Sequence, residues 1–306
     1  MGKTKKQHYV PRLYLREFAI PNTERIHVYD LNTKTQRINN IMDVAEENRF
    51  YEYDIGEIID NIRVDEFEGI SQEDIEIVRD AFDNLEGKIG STVEPAFAEI
   101  LDNIISKADS LTPWLFNNTF FINEENKAKL SVCLAFQLMR TKKVRDFIKD
   151  TNQKITDFAK ELYPDADTDH LRLSDKEIKR VHIETLIEND SFYEMAGFFS
   201  NYIWLLGVNR TDKLFYTSDA PIVMIPHVKD YSRGVGLSTR GVEVILPITP
   251  RLILMMFDGD YHIDYISKDR HYISLENNAN IEFYNWYMMN YAHRFVFSSD
   301  GDFEIS

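Results

Sequence analysis

Three groups of side chains in this sequence have types and spacings that could do chemistry. His8 stands in Gln7-His8-Tyr9-Val10-Pro11, just ahead of a proline-started segment and beside the basic residues Lys3, Lys5, Lys6 and Arg12. Gln137, Arg140, Thr141, Val144 and Arg145 recur at three or four residues, the spacing of one helical stripe. Thr217, Ser218 and Asp219 follow an apolar run and are closed by Ala220-Pro221. Imidazole titrates near neutral pH, so His8 is the candidate acid or base. Two guanidiniums and an amide on one stripe suit a phosphate or carboxylate, because each planar fork grips two oxygens at once. Asp219 would orient His8 or an attacking water, or hold a metal through a water shell, while Arg12, Thr217 and Ser218 add substrate contacts.

Each group also has a plainer reading. The arginine stripe serves equally as a solvated face or as partners for acidic side chains. His8 reads equally as a histidine bonded to backbone, and Asp219 as a turn cap ahead of Pro221. The sequence contains no phosphate-loop pattern, no His-Glu-x-x-His, no Gly-x-Ser-x-Gly and no dinucleotide glycine fingerprint after a strand. His170 and His182 lack neighbours at ligand spacing, so no metal site is expected and the cofactor stays unassigned. His262, His271 and His293 lie among aromatics and read as packing or surface residues. Gly234-Val235-Gly236 with Gly241 is either a flexible loop over a site or a long hairpin turn.

The elements that must hold these groups follow from pattern. Pro11 opens a short helix that puts Tyr14, Leu15 and Phe18 on one face. Alternation in Ile26-His27-Val28-Tyr29-Asp30, a turn through Asn32 to Thr35, and a strand at Arg37-Ile38 predict a hairpin. Glu46-Glu47-Asn48 reads as an acidic turn and Phe50 to Asp54 as a short extended piece. From about Ile70 the period becomes helical, with Ser71 as cap and Gly87 and Gly90 as stops. Further helices are predicted over Val93 to Ile105, Asn123 to about Phe147, Ser174 to Ile187 and Phe192 to Leu205. Strand patterns return at Leu214-Thr217, Ile222-Ile225, Val242-Leu246 and Leu252-Phe257. Several of these are continuous apolar runs, the mark of central strands buried on both faces. A helix over Leu275 to His293 and a last strand at Arg294-Phe297 complete the reading. Strands at both ends with helices between predict one α+β domain over residues 1–306, its helical portion at about 70–206. In it the N-terminal hairpin joins or abuts a mixed or antiparallel C-terminal sheet, with the central helical bundle packed against it.

Composition narrows the setting. With 306 residues, 43% hydrophobic and 13% aromatic, the chain can bury a large core. A formal charge of −16 argues against a general surface for duplex nucleic acid, since that contact neutralises phosphates, and leaves only a local basic site. Cys133 is the only cysteine, which excludes a disulfide framework and fits a reducing cytoplasm. No run approaches the roughly 20 apolar residues that span a bilayer, so no membrane association is expected. Oligomeric state has no signature in the sequence.

Four blocks carry a resemblance. They are Gln7 to Pro11 with Tyr14 to Phe18, Gln137 to Thr141 with Arg145, Phe215 to Pro221, and Leu246-Pro247-Ile248-Thr249-Pro250. Together and in this order they resemble the domain-of-unknown-function family numbered 4238, which has bacterial, phage and fungal members and no established activity. The resemblance implies that His8, Gln137, Arg140, Arg145, Thr217, Ser218 and Asp219 stand where the family's polar motifs stand. Ala220 departs from it, replacing an asparagine more usual before the proline. The resulting expectation is an enzyme, a hydrolase or nuclease, acting on a nucleotide or nucleic acid within bacterial defence. The alternatives are an anion-binding module without turnover and a structural interaction protein.

Overall fold

The computed structural model describes residues 6–53, 76–77, 80–81, 84–187, 189–228 and 234–304. Its centre is a five-stranded sheet in the order β10-β5-β9-β8-β7, made of β5 (Ile203–Asn209), β7 (Val223–Pro226), β8 (Val242–Thr249), β9 (Leu252–Phe257) and β10 (His271–Leu275). All neighbours are antiparallel except β10 and β5. Every residue of β5, β8 and β9 is buried, which for β8 and β9 agrees with the apolar runs that predict central strands.

The two faces divide the core by strand alternation. Trp204, Leu206, Val244, Leu246, Leu254 and Met256 point to the helical side, where they meet Phe97, Leu130 and Leu134. Leu205, Ile245, Ile253 and Met255 point the other way, toward Ile281 and Met288 of a C-terminal helix. Gly207 takes a place on that second face, where an added Cβ would lie 2.8 Å from both Ile253 Cγ2 and Leu275 Cδ1.

The helical side comprises α2 (Leu85–Lys88), α3 (Glu94–Ser110), α4 (Glu124–Met139), α5 (Lys142–Leu162), α6 (Asp175–Ile187) and α7 (Asn189–Asn201). Its first member follows α1 (Arg12–Arg16), and α8 (Asn278–Tyr291) covers the opposite face of the sheet. A second sheet, β3-β2-β11-β6, joins the hairpin of β2 (Arg25–Asp30) and β3 (Thr35–Asn40) to β11 (Phe295–Ser298) and β6 (Thr217–Ser218). The expected union of N-terminal hairpin and C-terminal strands is thus a four-stranded antiparallel sheet, and the class is α+β. Among the described residues no helix is long and apolar enough to cross a membrane.

Several boundaries differ from the sequence expectation. The long helix from Asn123 breaks at Arg140 and Thr141, where Thr141 is extended (φ −84°, ψ 156°), because Arg140 turns its guanidinium inward. Trp204 and Leu205 belong to β5 rather than to a helix end, since a short apolar run buried on both faces has no period to distinguish strand from helix. Glu46–Asn48 is a strand, β4, paired with β1 (Lys6–His8), whereas Phe50 and Tyr51 leave the extended state to pack inward, Phe50 at 5.2 Å from the Tyr9 ring. Gly87 and Gly90 do not stop a helix; the chain stays helical through a π turn at Ile89–Val93, carried by buried Leu85, Ile89 and Phe97. Leu275 ends β10, and α8 starts at Asn278 with the Asn277 side chain accepting from Ala279 N at 3.0 Å. Of the expected strand Leu214-Thr217, only Thr217 is extended in a ladder. The helix start at Ile70 and Ser71, with Lys3 and Lys5, lies outside the described residues.

Candidate functional site

Two of the motif residues that the sequence singles out share one partner. Gln137 Nε2 and Arg140 Nε both donate to the carbonyl of Tyr9, at 3.1 and 3.0 Å, and Arg140 Nη2 donates to Glu94 Oε1 at 3.0 Å. Arg140 is 1% exposed, so its charge is compensated from inside the protein. Arg145, one helix further on, reaches a different set: Glu47 Oε1 at 3.0 Å, Phe50 O at 3.1 Å and His182 Nδ1 at 3.3 Å, with the Phe50 ring 4.0 Å from its guanidinium carbon. The structure therefore brings Gln137 and Arg140 together and sends Arg145 elsewhere.

Thr217, Ser218 and Asp219 are fully buried. Tyr14 donates its hydroxyl to Pro247 O at 2.7 Å and shares a 2.6 Å hydrogen bond with Thr217 Oγ1, joining three of the four motif blocks. Ser218 Oγ accepts from Ala220 N at 3.1 Å. Asp219 accepts three backbone N–H bonds, from His293 at 2.9 Å, Arg294 at 3.0 Å and Phe295 at 3.0 Å, which fixes the chain entering β11. His293 Nε2 meets Asp146 Oδ2 at 2.7 Å and its Nδ1 lies 3.8 Å from Asp219 Oδ2; hydrogen bonding to these carboxylates holds its pKa above the ordinary histidine value.

His8 lies in β1 opposite Glu46, and its Nε2 is buried without a partner. Burial, then the charge of exposed Arg12, lowers its pKa. Asp219 accepts from the backbone of residues 293–295, and no hydrogen bond joins it to His8 among the described residues.

A second constellation lies at one end of the five-stranded sheet. Glu243, near the start of β8, is 2% exposed and faces α8, so its carboxylate needs partners there. Tyr284 Oη donates to Glu243 Oε1 at 2.8 Å, its own ionisation pushed well upward by burial. His227, just beyond β7, places Nε2 at 2.8 Å from Glu243 Oε2 while its side chain stays 33% exposed. The ring of His262 stands edge-on to His227 with centroids 5.0 Å apart. Its Nε2 is buried without a partner, and burial lowers its pKa.

The surroundings of this pair are aromatic and cationic. Tyr261 lies 4.9 Å from the His262 ring and Tyr265 stacks on it at 6.0 Å, while Arg240 sits over Tyr261 at 5.8 Å and Lys268 over Tyr265 at 5.9 Å. The nearby Asp258 carboxylate is occupied by Gly241 N at 2.7 Å and Asp260 N at 3.1 Å. Gly241 has φ 72° and passes so close that an added Cβ would lie 2.9 Å from Val228 Cγ2, which draws the chain after β7 against the start of β8. An imidazole tethered at one nitrogen by a buried carboxylate and still a third exposed has the form of a general acid or base. Among the described residues, no three or more His, Cys, Asp or Glu side chains are grouped to hold a metal ion.

Residues 6–302 match the family model described as a protein of unknown function, DUF4238. The chain belongs to the DUF4238 family. No curated protein and no solved structure matches. In this DUF4238 chain Gln137, Arg140, Arg145, Thr217, Ser218 and Asp219 are bonded within the fold, whereas His227, which the sequence reading passed over, is an exposed imidazole on an internal carboxylate. One signal could have found it: Glu243 interrupts the apolar run Val242 to Leu246, and a carboxylate at a buried strand position demands a partner.

Proposed function

We propose that this DUF4238 protein is an acid–base enzyme acting on a phosphate-bearing substrate, with His227 as its base. The observation that supports this reading is the 2.8 Å contact between exposed His227 and buried Glu243, itself held from behind by Tyr284. With Nε2–H donated to Glu243, the Nδ1 lone pair takes a proton from water or a substrate hydroxyl, and the carboxylate compensates the charge that develops on the ring. Arg240 and Lys268 lie beside the neighbouring rings, where cations receive phosphate oxygens, and His262 contributes a second imidazole kept neutral by burial. Tyr261 and Tyr265 give a base or sugar an aromatic surface. A cytoplasmic setting suits the single, buried Cys133.

The test uses purified protein with a phosphomonoester, a phosphodiester, nucleoside triphosphates and single-stranded RNA. Turnover of one class, reduced about 10²–10⁴-fold by His227→Asn with an unchanged melting temperature, fits a general base. Binding without turnover would turn the reading into that of an anion-binding module. If no probe is bound or turned over by the wild-type protein, the reading is wrong.

A further inference from the structure

We propose that the cavity between α8 and the N-terminal hairpin binds a small organic ammonium ion. The cavity has a volume of about 450 Å³ and lies between Trp286 and Met289 of α8, Tyr29 of β2, and Tyr216. That volume falls in the range of small-molecule sites, which is about 300–1,000 Å³. It is separate from the His227 site and independent of the proposed activity.

The chemistry of the lining selects the ligand. Tyr216 spends its hydroxyl on Asp302 O at 2.5 Å and on Glu304 N at 2.8 Å, so what it offers the cavity is ring. Asn285 is likewise spent, accepting from Tyr216 N at 2.9 Å and donating to Leu214 O at 2.8 Å. Trp286, by contrast, is 52% exposed, an indole left facing solvent at the cavity. The groups with capacity to spare are mostly acceptors. Glu282 and Glu304 each use one oxygen on the ammonium of Lys213, leaving Oε2 on both, and Asn290 donates to Trp286 O at 2.8 Å, leaving its carbonyl oxygen.

Electron-rich rings with carboxylate oxygens at the rim attract a cation whose charge is spread over alkyl groups, because the ring quadrupole replaces part of the lost hydration. Lys213, seated between the two glutamates, offsets part of their charge, so the aromatic face of Trp286 must carry most of the attraction. The formal charge of −16 raises the local concentration of cations further. Lys34 is the opposing charge in the lining.

The experiment compares choline with its uncharged isostere 3,3-dimethylbutan-1-ol, read by tryptophan emission and by calorimetry on the whole chain. Choline should bind saturably and about tenfold more tightly than the isostere, the factor a cation gains at an aromatic face. Trp286→Leu should abolish the binding and the emission change, and Glu282→Gln should weaken it several-fold while His227→Asn leaves it intact. Equal affinity for the two isosteres, or no saturable binding of choline, overturns the proposal. Choline binding that survives Trp286→Leu overturns it as well.

Discussion

Replacing Asp219 separates a framework role from a catalytic one. Its carboxylate is fully buried and accepts from three consecutive backbone N–H groups, one on Oδ1 and two on Oδ2. A hydrogen bond to a charged acceptor contributes about 1.5–3 kcal/mol. Asp219→Asn can keep its oxygen on Arg294 N and Phe295 N and must turn its amide toward His293 N, so one bond is lost, at a cost of about 1.5–3 kcal/mol. Asp219→Ala loses all three; simple addition overstates the total because water enters the space, and about 4–5 kcal/mol is the expected loss. At about 1.5 °C per kcal/mol for a chain of 306 residues, the alanine variant should melt roughly 7 °C below wild type and the asparagine variant about halfway between. Scanning fluorimetry, backed by urea unfolding, reads both. An alanine variant melting within about 2 °C of wild type would refute the argument. So would an asparagine variant that loses all turnover while keeping wild-type stability.

Other outcomes follow from the same contacts. Arg140→Ala should cost about 3–5 kcal/mol, measured by urea unfolding, because it unpairs Glu94 and removes a donor from Tyr9 O in a buried setting. Gly207→Ala should cost about 1–3 kcal/mol, since its Cβ would press on Ile253 and Leu275 at 2.8 Å. His182 is fully buried and its pKa is lowered to about 4 by burial and then by Arg145, so the unfolded chain takes up the proton first as pH falls. Stability should therefore drop by roughly 3 kcal/mol between pH 6.5 and 4 on this account alone, and His182→Gln should flatten that limb of the pH–stability curve. His293 acts in the opposite sense. Its raised pKa gives a contribution complete below about pH 6.5 and lost as pH rises through the folded value, so His293→Ala should destabilise at pH 6 more than at pH 9.

Much of the architecture was legible where pattern and burial agree. The runs Val242 to Leu246 and Leu252 to Phe257 read as central strands and are buried on both faces. The alternating segment Ile26 to Asp30 read as a hairpin strand and became one. Where period gives no information the reading failed, as at Ile203–Asn209, an apolar strand following directly on a helix. The break at Arg140 was illegible for another reason: its cause is a carbonyl 131 residues away in sequence. The candidate site shows the same limit. Of the motif residues, Gln137 and Arg140 meet the N-terminal block at Tyr9 O, while Arg145 and Asp219 hold other segments. Whether their polar atoms face a ligand or each other depends on side-chain direction, which spacing does not encode. His227 and Glu243, 16 residues apart, are joined by a strand pairing in which Pro226 sits opposite Val242.

The four-stranded sheet has a consequence for biosynthesis. β2 leaves the ribosome well before its partner β11, so Ile26 to Asp30 must wait through the synthesis of the helical region and the five-stranded sheet with one edge unsatisfied. Such an edge is open to pairing with other chains. Arg37 reaches Asp30 within the hairpin itself, whereas the Arg294 guanidinium joins Asp30 only when β11 arrives, so the buried carboxylate gains its second cation as the sheet is completed.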